Sequence, residues 1–507
     1  MKVIAMYLPQ FHRVRENDEW WGEGFTEWTA VQSAEKLFDN HEQPRVPLDN
    51  RYYDLLDKNT MSWQSELMHK YQIDGMCFYH YYFKGGKKIL EKLAENLLKW
   101  NDINMPFCFS WANESWVRSW SNLSKSNPWF SIFDDEVYRN EGDSGILIEQ
   151  DYGDRTAWEE HYRYLSPFFH DPRYIRYDNM PVFMIYKPDN IPCLEPMLKC
   201  WEDLAKEDGF LGIYTIGTNI KENNKTGLKG INLQEPQNTV ERFYPSVVDN
   251  KKVSRLIDYQ DIWDKLVCKQ TPEGVSLGGF VGYDDTPRRG REGCVVHGRN
   301  PYLFYEGMKG VLAKADSKHS PFVFINAWNE WGEGMYLEPD KQYGFAFLEA
   351  FRQAKIDYLR MSADNVLQDD DKELSVIRME QQLIEKKADR YRGYWQVFDE
   401  WMLMLEQGRT PLDYIKSNGY NSVAIYGYGM LGKHLVRQFQ KENFNVSYVI
   451  DRNNIKKTDD ISIYNIMDEL PSVDMVVVTV LYDYDNIYNY LKNKVNADIV
   501  PINKLFD

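Results

Sequence analysis

Short apolar runs recur up to residue 327 of the chain, and polar or amphipathic stretches separate them. Several runs are apolar at every position, which is typical of strands that are buried on both faces. We therefore predict eight strands in this part of the chain. They are Val3–Leu8, Ile73–His80, Pro106–Ala112, Pro181–Tyr186, Leu211–Thr218, Gly230–Gln234, Gly278–Val281 and Phe322–Ala327.

Stretches between these runs carry helical periodicity, for example Lys87–Trp100 and Trp158–His170. Eight strands that alternate with helices are the pattern of a (β/α)8 barrel, in which helices surround a closed parallel sheet. The predicted fold class is therefore α/β, with a TIM-type barrel over residues 1–360 that carries the catalytic site. The sixth and seventh runs are the weakest of the eight.

A different pattern follows the barrel. An acidic cluster, Asp369–Asp371, reads as a linker, and Leu374–Leu405 carries one long apolar stripe at helical spacing. We predict a helical linker over residues 361–418. Such a stripe usually packs on a neighbouring domain, and the alternative is the seam of a homodimer.

The last segment, residues 419–507, predicts a small Rossmann-like domain. A strand at Ser422–Tyr426 leads into Gly427, Gly429 and Gly432, and a helical run follows at Lys433–Gln440. Further strands are predicted at Val446–Ile450, which ends at Asp451, and at Met475–Val480. Strand, GxGxxG and helix in this order form the dinucleotide-type fingerprint, in which the glycines cradle a phosphate and the acid meets a ribose.

Two readings of this segment stay open. The glycine loop and Asp451 could bind a nucleotide or a nucleotide-sugar, or the segment could be a structural module that keeps the turn. The domain is shorter than the two halves of a full dinucleotide site.

Composition narrows the function classes. Hydrophobic residues make up 43% and charged residues 27%, which is ordinary for a globular protein, and the net charge is −17. So acidic a chain is a poor candidate for nucleic-acid binding. No apolar segment approaches the ~20 residues of a membrane span, and the N-terminal apolar stretch is too short for a signal peptide. With six scattered cysteines, of which Cys77 and Cys108 lie in apolar runs, we expect a cytoplasmic protein.

Aromatic residues are abundant, at 15% of the chain, with 16 tryptophans. All but two of these tryptophans lie at or before Trp331. Because tryptophan and tyrosine combine a large apolar face with a polar group, this bias suits either a large core or a carbohydrate platform.

The densest candidate site follows the eighth predicted strand. Glu330 and Glu333 stand three positions apart and are the predicted catalytic residues, and we expect their neighbours Trp328, Asn329 and Trp331 to bind substrate. Barrel enzymes carry their active sites at the carboxyl ends of the strands, and two neighbouring carboxylates can be driven to different pKa values. Glycosidic chemistry needs such a pair, one acid and one base or nucleophile. The alternative is a strand end with solvated glutamates and tryptophans in the core.

Weaker candidates end other strands, and we expect them to bind substrate. Each also has a structural reading, as a core histidine or a loop-stabilising pair. They are His80 after the second run, Trp111, Asn113 and Glu114 at the third, and Tyr283 and Asp284 after the seventh. The sequence contains no zinc-ligand spacing, no P-loop and no G-x-S-x-G elbow, so no metal is predicted.

The ordered set of motifs resembles the WbsX-type glycosyltransferase family, named from bacterial O-antigen and capsule gene clusters. The resemblance covers roughly residues 2–355. Its motifs are Tyr7-Leu8-Pro9-Gln10-Phe11-His12, the stretch from Glu16 to Trp28, Trp111-Ala112-Asn113-Glu114, Asp285-Thr286-Pro287-Arg288-Arg289, and Trp328-Asn329-Glu330-Trp331-Gly332-Glu333-Gly334. That family is similar in turn to the glycoside hydrolase family 99 endo-mannosidases, which are (β/α)8 barrels.

The resemblance implies a retaining mechanism that needs no cofactor in the barrel. Glu330 would take the proton of a sugar 2-hydroxyl, which attacks C1 to give a 1,2-anhydro sugar, and Glu333 would act as acid and then base. The substrate would be an oligosaccharide or activated sugar. The predicted function is glycosyl transfer on a mannoside-like sugar. The alternatives are an endo-acting hydrolase, a non-catalytic carbohydrate-binding scaffold and, least favoured, a nicotinamide-dependent oxidoreductase run by the tail.

Overall fold

The computed structural model describes the chain except for residues 118–145, 221–226, 245–252, 366–392, 452–460, 466–467, 482–483, 493 and 507. The chain forms two compact units. The first contains Met1–Leu37 and His41–Val376, and the second contains Phe38–Asn40 and Ile377–Asp507. The predicted linker at Asp369–Asp371 and the part of the predicted stripe before residue 393 lie outside the described residues.

Eight parallel strands form the sheet of the first unit. They are β1 (Lys2–Tyr7), β2 (Gly75–Tyr82), β3 (Phe107–Trp111), β4 (Met180–Ile185), β5 (Tyr214–Thr218), β6 (Gly230–Asn232), β7 (Leu277–Phe280) and β8 (Phe322–Asn326). Their order is β6-β5-β4-β3-β2-β1-β8-β7, and a single bridge between Asn232 and Ser276 lies at the remaining gap. The sheet is a nearly closed TIM-type barrel, and each of the eight predicted strands is confirmed.

Burial explains why these runs form strands. Every residue of β3, β5, β6, β7 and β8 is buried, as the continuous apolar pattern predicts. The weak seventh run contains Gly278 and Gly279 because the chain is crowded there. A Cβ at Gly278 would meet the backbone oxygen of Leu233, and one at Gly279 would meet Met308. Glycine in β7 is therefore a packing requirement.

Helices lie between the barrel strands. They are α1 (Arg15–Trp21), α2 (Glu27–Ser33), α3 (Lys58–Lys70), α4 (Lys92–Lys99), α5 (Arg155–His170), α6 (Leu194–Glu207), α7 (Gln237–Phe243), α8 (Tyr259–Cys268), α9 (Thr286–Arg289), α10 (Pro301–Ser317) and α11 (Ala346–Asn365). Asp154 caps α5 by accepting from the backbone of Thr156 and Ala157. The helix predicted at Lys87–Trp100 begins only at Lys92, because Lys88–Ile89 pairs with the end of β2.

Short elements complete the first unit. Lys88–Ile89 pairs with β2, and Arg176–Tyr177 pairs with β4. Two further pairs are Trp116–Val117 with Ile146–Ile148 and Asn329–Glu330 with Met335–Tyr336. A three-stranded sheet contains Arg255–Asp258, Cys294–His297 and Tyr283–Asp284, with Cys294–His297 in the middle. Single turns of 3-10 helix lie at Leu48–Asn50, Lys84–Gly86, Pro188–Asn190, Gly290–Glu292 and Trp331–Glu333.

The second unit is built on a parallel five-stranded sheet. Its strands are β9 (Val423–Tyr426), β10 (Tyr448–Ile450), β11 (Ile463–Tyr464), β12 (Met475–Val478) and β13 (Asp498–Pro501), in the order β11-β10-β9-β12-β13. The helices are α12 (393–406), α13 (Pro411–Ser417), α14 (Met430–Lys441) and α15 (Tyr484–Leu491), and a 3-10 turn lies at Ile502–Phe506. This order of parallel strands confirms the predicted Rossmann-like fold.

The described part of the predicted apolar stripe is α12. Its residues Val397, Trp401 and Met404 are buried in the core of this second unit, together with Ile415 and Val423. The stripe therefore packs within its own chain over this stretch, and the homodimer stays a prediction. Across the described residues, every helix is too short or too polar to cross a membrane.

Candidate active site

A cleft with a volume of about 270 Å³ opens at the carboxyl ends of the barrel strands. Each of the eight strands contributes to its lining, either from the strand itself or from the loop that follows. The contributions, from β1 to β8, are Leu8 and Gln10; Tyr79 and Tyr81; Ala112, Glu114 and Trp116; Tyr186 and Lys187; Thr218 and Asn219; Gln234, Gln237 and Glu241; Tyr283 and Arg288; and Glu330, Glu333 and Met335. This is the position of the active site in barrel enzymes.

Glu330 and Glu333 reach this cleft from a tight hairpin after β8. Asn329–Glu330 pairs with Met335–Tyr336, and a turn of 3-10 helix at Trp331–Glu333 joins the two short strands. The side chain of Asn329 ties the hairpin to the end of β1. It accepts from the backbone nitrogen of Leu8 at 2.8 Å and donates to the backbone oxygen of Leu8 at 3.0 Å. The predicted carboxylate pair therefore lines one cleft.

Arg288, from α9, contacts both of these carboxylates. Its Nη1 donates to Glu333 Oε1 at 2.6 Å, and its Nη2 lies 3.5 Å from Glu330 Oε2. The other edge of the guanidinium faces Glu27 Oε1, at 2.8 Å from Nε and 2.7 Å from Nη2. Three carboxylates therefore surround one arginine, all of them at or next to the cleft wall.

Glu27 can approach Arg288 because the residue between Trp331 and Glu333 is a glycine. A Cβ at Gly332 would overlap Glu27 Oε1 and lie 3.1 Å from Arg288 Nε. Any side chain at position 332 would therefore force Glu27 and Arg288 out of place.

The electrostatics of the cleft favour a proton on Glu330. Burial, followed by the neighbouring charge of Glu333, raises the pKa of Glu330 well above its usual value, although Arg288 acts in the opposite direction. Burial also raises the pKa of Tyr79 and Tyr81, and Glu330 adds to both shifts. These tyrosines are therefore neutral hydroxyl groups that can donate to or accept from a substrate.

A second buried carboxylate, Glu338, lies in the layer beneath the hairpin. It accepts from Trp328 Nε1 at 3.0 Å and from Trp331 Nε1 at 2.7 Å. It also accepts from Tyr53 and Gln64, each at 2.7 Å. Burial raises the pKa of Glu338 to about 7, although the four donors favour its ionised form. Both indoles that the sequence placed in the substrate site therefore face the interior and hold the hairpin.

Of the predicted substrate-binding residues, Glu114 and Tyr283 also line the cleft. Burial raises the pKa of Glu114, and the charge of Lys187 opposes the shift. Tyr283 donates to Asp285 Oδ2 at 3.2 Å. The carboxylate pair, Glu114 and Tyr283 are thus brought together around one space.

The remaining predicted ligands lie behind the cleft wall. Asp284 is fully buried, accepts a hydrogen bond from Gln43 at 2.8 Å and contacts His41 at 3.0 Å. Burial acts to raise the pKa of Asp284, but His41 and Arg45 outweigh it and lower this pKa to about 2. Asn113 binds the backbone nitrogen and oxygen of Lys187, each at 2.7 Å.

Trp111 and His80 also have partners within the protein. The indole of Trp111 donates to the backbone oxygen of Tyr82 at 3.0 Å. His80 Nε2 lies 2.8 Å from His161 Nε2, and burial lowers the pKa of His80 to about 3. Asn329, Trp328, Trp331, Asp284, Asn113, Trp111 and His80 do not line the cleft as described. Their predicted contacts with substrate stay predictions.

Sequence reasoning did not single out Glu27 or Arg288, although both lie inside motifs that carried the family resemblance. Nor did it select Lys187, Thr218 or Gln234, which follow or end the strands β4, β5 and β6. The sequence signal for Lys187, Thr218 and Gln234 is their position, since each of the three lies within two residues of the end of a strand. Only the barrel topology shows that such positions converge.

The predicted nucleotide site has the geometry of a glycine-rich turn. Gly427 has a φ of 93°, which favours glycine, and a Cβ at Gly432 would overlap the backbone oxygen of Gly427. Asp451 Oδ2 accepts from the backbone nitrogen of Tyr428 at 2.6 Å, so the predicted ribose ligand binds the glycine loop itself. Binding of a nucleotide through Gly427, Gly429, Gly432 and Asp451 stays a prediction. The described residues contain no cluster of His, Cys, Asp or Glu side chains that could hold a metal ion.

Two glutamates that meet one arginine, among tyrosines and amides, thus lie at the carboxyl end of a TIM-type barrel, where barrel enzymes carry their active sites. The family described as Glycosyltransferase WbsX matches residues 3–351, and the chain belongs to that family. This confirms the resemblance seen in the motifs.

Two kinds of relative show the range of the likeness. The chain is 32% identical over 375 residues to a protein named Uncharacterized protein WxcX from Xanthomonas campestris pv. campestris, covering 69% of this chain and 49% of the relative. It therefore spans about half the length of the curated relatives that it matches. A GH99 endo-alpha-mannosidase from Bacteroides thetaiotaomicron covers 71% of this chain at 14% identity and a TM-score of 0.42, and 98% of its own chain is matched.

Proposed function

We propose that this protein is a retaining glycosyltransferase of bacterial surface-polysaccharide assembly, acting on a mannoside-like sugar of an O-antigen or capsule. The observation that carries the proposal is the placement of Glu330 and Glu333 in one cleft at the carboxyl end of the barrel. Membership of the WbsX glycosyltransferase family supports transfer as the reaction. The mannoside-like sugar follows from the likeness of the Asn329–Gly334 motif to family 99.

The proposed reaction has two steps, each with balanced proton transfer. Glu330 accepts the proton of the sugar 2-hydroxyl, the 2-oxygen bonds to C1, and the bond from C1 to the leaving oxygen breaks as Glu333 protonates that oxygen. Glu333 then accepts the proton of the acceptor hydroxyl, which bonds to C1 from the face that the leaving group left. The bond from C1 to the 2-oxygen breaks, and Glu330 returns its proton to the 2-oxygen.

The wall across from the carboxylates supports a polyhydroxylated ligand. Thr218 Oγ1 and Gln234 Oε1 are buried and have no hydrogen-bond partner among the described residues. The amide nitrogen of Gln234 binds Tyr79 at 3.3 Å, which leaves its oxygen open as an acceptor. Buried polar groups need partners, and sugar hydroxyls satisfy both donors and acceptors.

The experiment that tests the proposal is a mass-spectrometric screen of the purified chain with activated sugars and oligosaccharides, followed by NMR of the new anomeric centre. We expect a transfer product that retains the anomeric configuration. Glu330→Gln and Glu333→Gln should each lower turnover about 10³-fold while ligand affinity persists, because general acid–base catalysis contributes roughly 10²–10⁴-fold. Glu349→Gln, an exposed glutamate of α11, is the matched control.

Other outcomes would decide against transfer. Release of free sugar with water as the only acceptor would replace transfer with hydrolysis by the same pair. Glycan binding without turnover in the parent chain would make the cleft a binding site.

A further inference from the structure

Arg288 contacts the two cleft glutamates, Glu330 and Glu333, at different distances. Its Nη1 donates to Glu333 at 2.6 Å, which is a short charge-assisted hydrogen bond. The contact to Glu330 is 3.5 Å, at the outer limit of a hydrogen bond. Since the strength of such a contact falls steeply with distance, the guanidinium favours a negative charge on Glu333.

Glu27 fixes this orientation of Arg288. Glu27 Oε1 faces both Nε and Nη2 of the guanidinium, and the Glu27 side chain is 3% exposed. Its own backbone is held, because the Glu27 nitrogen donates to the backbone oxygen of Gln10 at 3.0 Å. With one edge bound in this way, Nη1 is directed at Glu333, while Nη2 reaches Glu330 only at 3.5 Å.

The charge count of this group requires a proton. Glu27, Glu330 and Glu333 would carry three negative charges against the single positive charge of Arg288. Burying uncompensated charge is costly, so the group is expected to retain a proton on one carboxyl. Glu330 is the more buried member of the cleft pair, with 7% of its side chain exposed against 16% for Glu333.

No other cation comes as close to Glu330 among the described residues that influence its charge. The titratable groups that face it come from α2, α9, the hairpin itself, β2 and the end of β4. They are Glu27, Arg288, Glu333, Tyr79, Tyr81 and Tyr186. The three tyrosines are neutral, since burial raises the pKa of each well above neutrality.

We propose that Arg288 is a positioning residue which, held by Glu27, keeps Glu333 ionised and leaves the shared proton of the pair on Glu330 in the free enzyme. The catalytic meaning of this arrangement rests on the proposed function. The proposed reaction needs Glu330 as the base and Glu333 as the acid, so the shared proton must pass from Glu330 to Glu333 before the first step. Because the reactive form still carries this one proton, kcat/KM should fall as pH rises through its loss.

The test uses the whole chain and needs no substrate. Glutamate labelled with ¹³C at the side-chain carboxyl gives an NMR signal that reports protonation directly. We expect the signal lost in Glu330→Gln to be that of a protonated carboxyl at neutral pH, and the signal lost in Glu333→Gln to be that of a carboxylate. Glu338→Gln identifies the signal of Glu338, whose pKa burial raises to about 7.

Two further variants should shift the Glu330 titration in opposite directions. Arg288→Gln removes the nearest cation and should move it to higher pH by roughly one to three units. Glu27→Gln removes a negative charge and frees Arg288 to approach Glu330, so it should move the titration to lower pH by about one unit. Arg289→Gln, which removes the neighbouring arginine that pairs with Asp285 at 3.2 Å, is the matched control and should cause little shift.

Opposite shifts distinguish positioning from structural damage, which would move both variants in the same direction. Arg288→Lys keeps the charge without the two-edged geometry and should give an intermediate value. The proposal is overturned if the protonated signal belongs to Glu333, or if Arg288→Gln leaves the Glu330 titration in place. Since the readout is protonation, this outcome is independent of whether the enzyme transfers, hydrolyses or only binds a glycan.

Discussion

Two glutamates on the same loop, Glu330 and Glu338, are both buried but have opposite surroundings. Glu338 lies beneath the hairpin and accepts four hydrogen bonds from neutral donors. Glu330 lies at the cleft, and among the residues that the structure describes its side chain has one hydrogen-bond contact, the 3.5 Å approach of Arg288. The difference teaches that burial alone does not identify a catalytic carboxyl. The count of donors separates a group that holds the structure from one that is left available for chemistry.

The largest effect is expected from removing the structural member of this comparison. Glu338→Ala leaves Trp328, Trp331, Tyr53 and Gln64 without their common acceptor, and it opens a cavity. We expect the free energy of unfolding to fall by about 4 kcal/mol, since each buried polar group left unsatisfied costs roughly 1–3 kcal/mol and the cavity adds to the loss. Denaturant unfolding of the two proteins measures this change. A loss below about 1 kcal/mol would show that the four contacts do not anchor the hairpin.

Glu338 also predicts a pH dependence. Its pKa is raised from the usual 4.5 to about 7 by folding, so its contribution to stability is fully present below pH 4.5 and is lost as pH rises through 7. The shift corresponds to about 3 kcal/mol at 1.36 kcal/mol per unit. Glu338→Gln cannot titrate, and the difference between its stability curve and that of the parent across this pH range isolates the contribution. A difference that does not change with pH would contradict the raised pKa.

Glu330→Gln should behave differently from either change at Glu338. Because the amide resembles the carboxyl in shape, and burial and the charge of Glu333 favour the neutral form of that carboxyl, we expect the free energy of unfolding at neutral pH to change by less than about 1 kcal/mol. Thermal unfolding beside Glu338→Gln gives the comparison directly. A destabilisation as large as that of Glu338→Ala would assign Glu330 a structural role as well.

The smallest effect concerns the opposite wall of the cleft. Thr218→Val keeps the shape of the side chain but removes the hydroxyl that has no hydrogen-bond partner in the part of the chain that the structure describes. We expect glycan affinity to fall by roughly tenfold or less, since a neutral hydrogen bond contributes about 0.5–1.5 kcal/mol. Titration calorimetry with a glycan found in the screen measures it, and unchanged affinity would remove Thr218 from the binding wall.

Much of the barrel follows from the sequence because its strands are buried on both faces. Continuous apolar runs such as Phe322–Ala327 are local signals, and they need no knowledge of neighbours. Boundaries were less certain where tertiary pairing intervened. The predicted helix from Lys87 loses its first turn because Ile89 pairs with Tyr81 in β2.

Part of the candidate site could also be predicted from local sequence signals. Glu330 and Glu333 were found because two acids follow a strand within one short motif. Glu27 and Arg288 were missed because their meaning depends on a meeting with residues far along the chain, which no local pattern reveals. Trp328 and Trp331 were assigned to the substrate site because they flank the two glutamates in one motif, and in the structure both indoles donate to the buried Glu338.

The closure of the barrel has a consequence for how activity emerges during folding. Lys2 in β1 pairs with Phe322 in β8, and Asn329 then grips the backbone of Leu8. Contacts that join such distant positions form late, since they carry the largest loop-closure cost. During synthesis on the ribosome, Glu27 and Arg288 are made before Glu330 and Glu333. The proposed active site should therefore become complete in a single step, at the end of domain synthesis.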